Sequence, residues 1–157
     1  MKPMSIETVR LFLREKGFED RIREFGVSSA TVNLAAQAVG CEPARIAKTL
    51  SFLVDGRCVL IVAAGDAKID NSKYKAQFHT KAKMLTPEQA LDFTCPFAVD
   101  PDQVTSYLDV SLQRFDTVYP AAGSSSSAVR LTCCELAQLA PSAGWIDVCK
   151  GWQETEF

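Results

Sequence analysis

Two apolar runs near the middle of the chain form its strongest hydrophobic pattern. Residues 49–54 and 57–64 are almost continuously apolar, and the pair Asp55-Gly56 separates them. An Asp-Gly pair between two such runs is typical of a tight β-hairpin turn. Since neither run alternates with polar residues, we expect this hairpin to lie at the centre of a sheet that is covered on both faces.

Helical and strand-like segments alternate along the rest of the chain without a regular repeat. Segments that combine a capping residue with helix-forming residues predict helices at 5–16, 31–39, 70–78, 86–93 and 133–139. Short apolar or alternating runs predict further strands at 20–25, 81–85, 104–109, 117–119, 128–131 and 145–148. This order favours an α/β (α+β) fold around a mixed sheet. At 157 residues the chain is expected to form a single compact domain, residues 1–157.

Composition and charge narrow the functional classes. Apolar residues make up 47% and charged residues 23% of the chain, as in ordinary globular proteins. Neither an apolar run of about 20 residues nor a signal-peptide core is found, so we expect no membrane association and a cytoplasmic location. The net charge of −2 argues against non-specific coating of nucleic acid. A local cluster of lysines is either a solvated helix face or a patch that meets phosphates: Lys68, Lys73, Lys75, Lys81 and Lys83.

Several common kinds of catalytic site are not supported by the sequence. The six cysteines include no C-x-x-C pair and His79 is the only histidine, so neither a zinc site nor a histidine-based triad is expected. Phosphate-binding glycine loops are also missing from the sequence, and no cofactor is predicted. Asp66 and Asp70, one helical turn apart, could act as a metal or acid–base pair or could cap turns. We expect the cysteines to be reduced and mostly buried.

Lys48 is the candidate with the most unusual setting. It lies at the start of the predicted hairpin, in the sequence Ile46-Ala47-Lys48-Thr49-Leu50, with apolar residues on both sides. Such a lysine can extend its ammonium to the strand edge. Alternatively, an ammonium held in a partly desolvated pocket can bind a phosphate or stabilise a developing oxyanion.

The order of several short motifs resembles that of the YbaK/EbsC-type aminoacyl-tRNA deacylases, which are related to the editing domain of bacterial prolyl-tRNA synthetases. The resemblance extends over roughly residues 25–139. Its motifs are Ser29-x-Thr31, Ala35-Ala36-x-x-x-Gly40, Ile46-Ala47-Lys48-Thr49-Leu50, Ala64-Gly65-Asp66-x-x-Ile69-Asp70, Leu108-Asp109-x-Ser111-Leu112 and Val118-Tyr119-Pro120-Ala121-Ala122-Gly123-Ser124.

The resemblance implies a compact domain with a mixed, barrel-like sheet flanked by helices. It also implies hydrolysis of the ester of a mischarged tRNA, with tRNA-Pro favoured and prolyl-tRNA synthetase as a candidate partner. Lys48 matches the family's essential lysine, which is expected to hold the terminal nucleotide or the ester carbonyl. In such a site water or a substrate group attacks the ester, and the protein supplies orientation and backbone N–H donors. The resemblance assigns to the substrate pocket Thr31, Thr49, Gly65, Asp66, Ala121, Ala122 and Gly123.

One departure from the family pattern leaves a second function open. Members of the family that this chain resembles usually carry a glycine-rich loop, Thr-Gly-His-x-x-Gly-Gly-Val, directly before a Cys/Ser-Pro segment. In this sequence Thr94 is followed directly by Cys95-Pro96-Phe97. The alternative is a non-catalytic module that binds a tRNA acceptor end or an aminoacyl-nucleotide. A plain structural or partner-binding domain is a third hypothesis, and it would require an exposed apolar patch.

Overall fold

A mixed six-stranded sheet forms the centre of the protein. The computed structural model describes residues 6–25, 31–86, 104–122, 127–140 and 142–152. The strands of the central sheet are β2 (Ile46–Val54), β3 (Arg57–Ala64), β5 (Val104–Asp109), β6 (Thr117–Pro120), β8 (Leu131–Thr132) and β9 (Ser142–Ile146). They lie in the order β8-β6-β2-β3-β5-β9 and curl into a half-barrel, which confirms the predicted mixed, barrel-like architecture.

Two short ribbons complete the strand pairing. In the first, β1 (Ile22–Glu24) pairs with β7 (Ser127–Val129) in antiparallel orientation. In the second, β4 (Lys68–Ile69) pairs with β10 (Cys149–Lys150), also antiparallel. Both ribbons join segments that are far apart in sequence, so they tie the later part of the chain to its first half.

The predicted central hairpin is confirmed. β2 and β3 pair from Val54↔Arg57 to Ala47↔Ala64, and they occupy the two middle positions of the sheet. Asp55 and Gly56 both have positive φ, 51° and 79°, as a two-residue hairpin turn of the favoured hand requires. The first strand begins at Ile46, three residues earlier than predicted, because a parallel pairing with β6 extends it. Lys48 is therefore the third residue of the strand.

Four of the predicted helices are confirmed. They are α1 (Ile6–Lys16), α2 (Val32–Val39), α3 (Asn71–Phe78) and α4 (Cys133–Leu139). Side chains of the preceding residues Thr31, Asp70 and Thr132 accept hydrogen bonds from the first-turn N–H groups of α2, α3 and α4, respectively. The fifth predicted helix, 86–93, lies outside the described residues apart from Thr86.

Three of the predicted strands are wrong in part. Residues 81–85 form only an isolated bridge between Met84 and Phe52. The segment 20–25 begins with a 3-10 turn at Glu19–Arg21 and is extended only in β1. The predicted strand 145–148 is displaced, because β9 ends at Ile146 and β10 begins at Cys149.

The core lies between the curled sheet and the helices. It includes Val9 and Leu13 of α1, Phe52 of β2 and Tyr74 of α3, all of them almost completely buried. Within the described ranges the cysteines are free, no cluster of three His, Cys, Asp or Glu could hold a metal ion, and no helix is long and apolar enough to cross a membrane. His79 ends α3 in the left-handed conformation and is exposed, as expected for a helix-end residue.

Candidate functional site

Lys48 lies on the central strand β2 beside the bend that follows β3. Its register partner on β3 is Ala63, one residue before the end of that strand. The Lys48 Nζ donates hydrogen bonds to the backbone carbonyl oxygens of Ala67 and Gly65, the latter at 3.4 Å. The hairpin thus brings the ammonium back to the chain segment 65–67, which leaves the sheet at that point.

The ammonium of Lys48 is partly removed from water and has no acidic partner. Burial lowers the pKa of Lys48 and the charge of Lys68 adds to this effect, while Cys149 and Asp66 oppose it. No carboxylate in the described part of the chain lies within ion-pair distance of its Nζ. A cation that is held only by carbonyl oxygens retains attraction for an incoming anionic or carbonyl oxygen.

Gly65 is required by a close approach of backbone to backbone. A Cβ at this position would lie 2.1 Å from the Pro43 carbonyl oxygen and 2.7 Å from Cγ1 of Val32. The Gly65 N–H also donates to the carbonyl of Ala44 at 3.4 Å. The bend that holds Lys48 is thereby packed against the start of α2 and the turn before β2.

The small residues after β6 lie beside Lys48. β2 and β6 are parallel and pair Ala47 with Pro120, so the next residue, Ala121, lies at the level of Lys48. Ala121 forms a bridge with Ala128, and Ala122 is completely buried. The structure therefore places Gly65 and Ala121 near Lys48, and their assignment to a substrate pocket stays a prediction. Gly123 lies outside the described residues.

The two threonines of the predicted pocket have different surroundings. The Thr31 hydroxyl accepts a hydrogen bond from the Leu34 N–H at 3.2 Å, which explains it as the N-cap of α2. Thr31 nevertheless precedes Val32, which packs on Gly65. Thr49 follows Lys48 in β2, so its side chain points to the opposite face of the sheet. Its hydroxyl oxygen is buried without a hydrogen-bond partner among the described residues.

The two aspartates considered as a metal or acid–base pair are used separately. Asp66 forms a two-pronged ion pair with Arg114, with N–O distances of 2.5 and 3.1 Å. Asp70 accepts hydrogen bonds from the N–H groups of Ser72 and Lys73 at the start of α3. The capping interpretation therefore holds for Asp70, and Asp66 fixes the bend at Gly65 to the turn that contains Arg114.

A buried polar network behind Lys48 was not identified as part of the site from the sequence. The Asp109 carboxylate is completely buried. It accepts hydrogen bonds from the backbone N–H groups of Ser111 at 3.0 Å and of Val148 at 2.9 Å. The Ser111 hydroxyl in turn accepts a hydrogen bond from the backbone N–H of Ala64 at 3.1 Å. The network connects β5, β3 and the segment before β10, and it fixes the end of β3 from which the Lys48 bend departs. The motif Leu108-Asp109-x-Ser111 is the sequence feature that could have indicated this network, since it contains both of its side chains.

Cys149 is the nucleophilic side chain nearest to this network, but its thiol is inert. It is completely buried, and burial, together with the Asp109 carboxylate, raises its pKa to about 12. A thiol with so high a pKa is almost entirely protonated at neutral pH, and the thiolate is the nucleophilic form. The arrangement around Lys48 is thus suited to binding and polarising an oxygen and not to covalent catalysis by this cysteine.

Comparison with known proteins agrees with this geometry. The sequence model of the aminoacyl-tRNA editing domain matches residues 27–139. The chain is 48% identical over 158 residues to the uncharacterized protein YwhH of Bacillus subtilis (strain 168), covering 96% of this chain and all of YwhH. That alignment includes about 151 residues of this chain, so at about seven of its positions YwhH has a residue and this chain has none.

Solved structures show the same fold. A crystal structure of a protein proposed to be a trans-editing enzyme for prolyl-tRNA synthetase superposes with a TM-score of 0.81 at 27% identity, covering 96% of this chain and 99% of that one. The hypothetical protein APE2540, at 20% identity, has a TM-score of 0.79 over 91% of this chain and 99% of its own. With the sequence match, these findings confirm the resemblance drawn from the motifs: the chain belongs to the aminoacyl-tRNA editing-domain family.

Proposed function

We propose that this protein is a trans-acting deacylase that hydrolyses the ester of a mischarged aminoacyl-tRNA, with tRNA-Pro as the favoured tRNA. The observation that carries the proposal is the state of Lys48. Its half-buried ammonium is held by two carbonyl oxygens, without a carboxylate partner in the described residues. Membership of the editing-domain family makes an aminoacyl ester the substrate class to test first.

In the proposed mechanism, Lys48 binds the terminal nucleotide or the ester carbonyl oxygen of the substrate. Charge that develops on this oxygen during attack is stabilised by the ammonium, which is oriented before the reaction and only partly solvated. The attacking group is water, because the described residues around Lys48 offer no activated nucleophile. Its oxygen bonds to the carbonyl carbon while the bond to the ribose oxygen breaks, and a proton of the water passes to that ribose oxygen. Gly65 and the network of Asp109 and Ser111 hold the ammonium in place and so contribute orientation.

The proposed tRNA and partner follow from the structural relative. That protein is described as a proposed trans-editing enzyme for prolyl-tRNA synthetase, and it shares the fold over almost the whole of both chains. We propose that this protein likewise receives tRNA from prolyl-tRNA synthetase, in the cytoplasm. The net charge of −2 agrees with delivery by a partner instead of strong independent binding.

The test is a deacylation screen with alanyl-, cysteinyl-, seryl-, threonyl- and 2-aminobutyryl-tRNA. Wild type is expected to hydrolyse at least one of them. Lys48→Ala is expected to lose about 100-fold or more in rate, the effect of removing one stabilising donor from such a site. Lys16→Ala, which removes an exposed lysine of α1, is the matched control and should hydrolyse normally. Wild-type rates in Lys48→Ala would show that the assigned role of Lys48 is wrong.

The second candidate function, a non-catalytic binding module, is favoured by a specific observation. Thr94 is followed directly by Cys95, so the glycine-rich loop Gly-His-x-x-Gly-Gly-Val that the family resemblance places before Cys95 is missing from the sequence. Such a loop would supply backbone N–H donors for the reaction, whereas Lys48 would still bind a nucleotide. Tight binding of a non-hydrolysable aminoacyl-adenosine analogue without turnover of any tRNA ester would support this function, and turnover of one ester would reject it.

A further inference from the structure

Two lysines face each other across the short ribbon of β4 and β10. The antiparallel register pairs Lys68 with Lys150, and both side chains are exposed. The other pair of the ribbon, Ile69 and Cys149, faces the core. Cβ atoms of directly opposite residues are about 4.5–5.5 Å apart, and like charges at such positions destabilise the pairing. The fold therefore keeps two ammonium groups together against their repulsion.

Acidic residues near the ribbon do not neutralise this pair. In the part of the chain that the structure describes, no carboxylate forms an ion pair with Lys68 or Lys150. Asp147 is paired with another lysine, Lys73, at 3.0 Å. The Asp70 carboxylate attracts Lys150 only at longer range, and its hydrogen bonds go to N–H groups of α3. A bound anion would convert the repulsion between Lys68 and Lys150 into attraction to a shared partner.

The lysine pair adjoins the candidate site directly. Lys68 directly follows Ala67, whose carbonyl oxygen accepts a hydrogen bond from the Lys48 ammonium. The positive charge of Lys68 contributes to the lowered pKa of Lys48. Two further exposed lysines lie on and just after α3. Lys75 and Lys81 line an open cavity of about 460 Å³ together with Asn71, Ser72 and Ala82. These lysines add exposed positive charge to a chain whose net charge is −2.

We propose that Lys68 and Lys150 form a phosphate clamp that holds the RNA backbone next to the nucleotide bound at Lys48. The identity of the anion as tRNA backbone rests on the proposed function. Of the cluster of five lysines in the sequence, Lys73 is excluded from the clamp because it is tied to Asp147 and to the carbonyl oxygen of Cys149. Lys150 is included in the clamp instead, because the pairing of β10 with β4 places it opposite Lys68.

The experiment compares RNA binding by single charge reversals. The probe is a fluorescein-labelled RNA hairpin with a single-stranded CCA 3′ end, and its anisotropy is measured from about 50 to 200 mM KCl. Lys68→Glu and Lys150→Glu are each expected to weaken binding about 10-fold at the lowest salt and to reduce the slope of log Kd against log salt by about 0.7. Lys16→Glu carries the same charge change on α1 and should bind within about twofold of wild type.

Stability provides a readout that separates binding from folding. Lys68→Glu places an opposite charge across from Lys150, so its Tm is expected to equal or exceed that of wild type while its RNA binding falls. Wild-type binding by Lys68→Glu and Lys150→Glu, an equal loss in Lys16→Glu, or no RNA binding by wild type would each overturn the proposal. RNA binding that depends on the clamp without hydrolysis of any ester would refute the proposed deacylase activity and leave the clamp standing.

Discussion

Gly65→Ala tests whether the bend that holds Lys48 is packed as closely as the structure shows. The new Cβ would lie 2.1 Å from the Pro43 carbonyl oxygen, more than 1 Å inside an ordinary contact, and 2.7 Å from Val32 Cγ1. The first neighbour is backbone, so the clash cannot be relieved by a side-chain rotation. Overpacking of this kind costs about 1–3 kcal/mol. The free energy of unfolding, measured by urea titration, should fall by this amount.

The same substitution should impair the site beyond its effect on stability. Movement of residue 65 displaces a carbonyl that accepts the ammonium of Lys48, so ligand binding or ester hydrolysis should fall as well. Gly17→Ala is the matched control: Gly17 has φ +83° and open space around it, so alanine costs about 1–2 kcal/mol through backbone strain alone. The control should keep full activity. A loss of less than about 0.5 kcal/mol in Gly65→Ala would refute the packing argument.

Three further predictions follow from the buried polar groups. Lys48→Met should be more stable than wild type at neutral pH. Because folding lowers the pKa of Lys48, this difference should shrink as the pH rises towards 10.5, and parallel pH profiles of the two proteins in thermal unfolding would contradict this. Ser111→Ala should lose about 1–3 kcal/mol in urea titration because the buried N–H of Ala64 loses its acceptor, and a neutral result would remove Ser111 from the network. Iodoacetamide at pH 8 should modify exposed Cys134 but not Cys149 in the native protein, and labelling of native Cys149 in mass spectra would show that its thiol is not buried.

The features that the sequence predicted correctly depend on local chemistry. The hairpin turn needs only Asp55 and Gly56, and the helix starts need only a capping side chain such as Thr31 or Thr132. Such features involve residues a few positions apart, so their signal is present in a short window of sequence.

The features that were missed or displaced depend on pairing between distant segments. The start of β2 at Ile46 follows from its pairing with Tyr119, more than seventy residues later. The partner of Asp66 is Arg114, and the partner of Lys68 is Lys150. No periodicity within either segment specifies such a partner. The lysine cluster could be noticed in the sequence, but which lysine was neutralised by Asp147 depended on the tertiary structure.

The peptide of Val148 affects the order in which the site can assemble. Its N–H binds Asp109 and its C=O accepts the N–H of Asp70, so one late segment fastens both the network behind Lys48 and the start of α3. During synthesis the β2–β3 hairpin can form early, because its contacts are local. The cation site is completed only when β9 and β10 dock. A nascent chain should therefore form the β2–β3 hairpin before the surroundings of Lys48 are complete, and a ligand that depends on this cation site should bind only after β9 and β10 have docked.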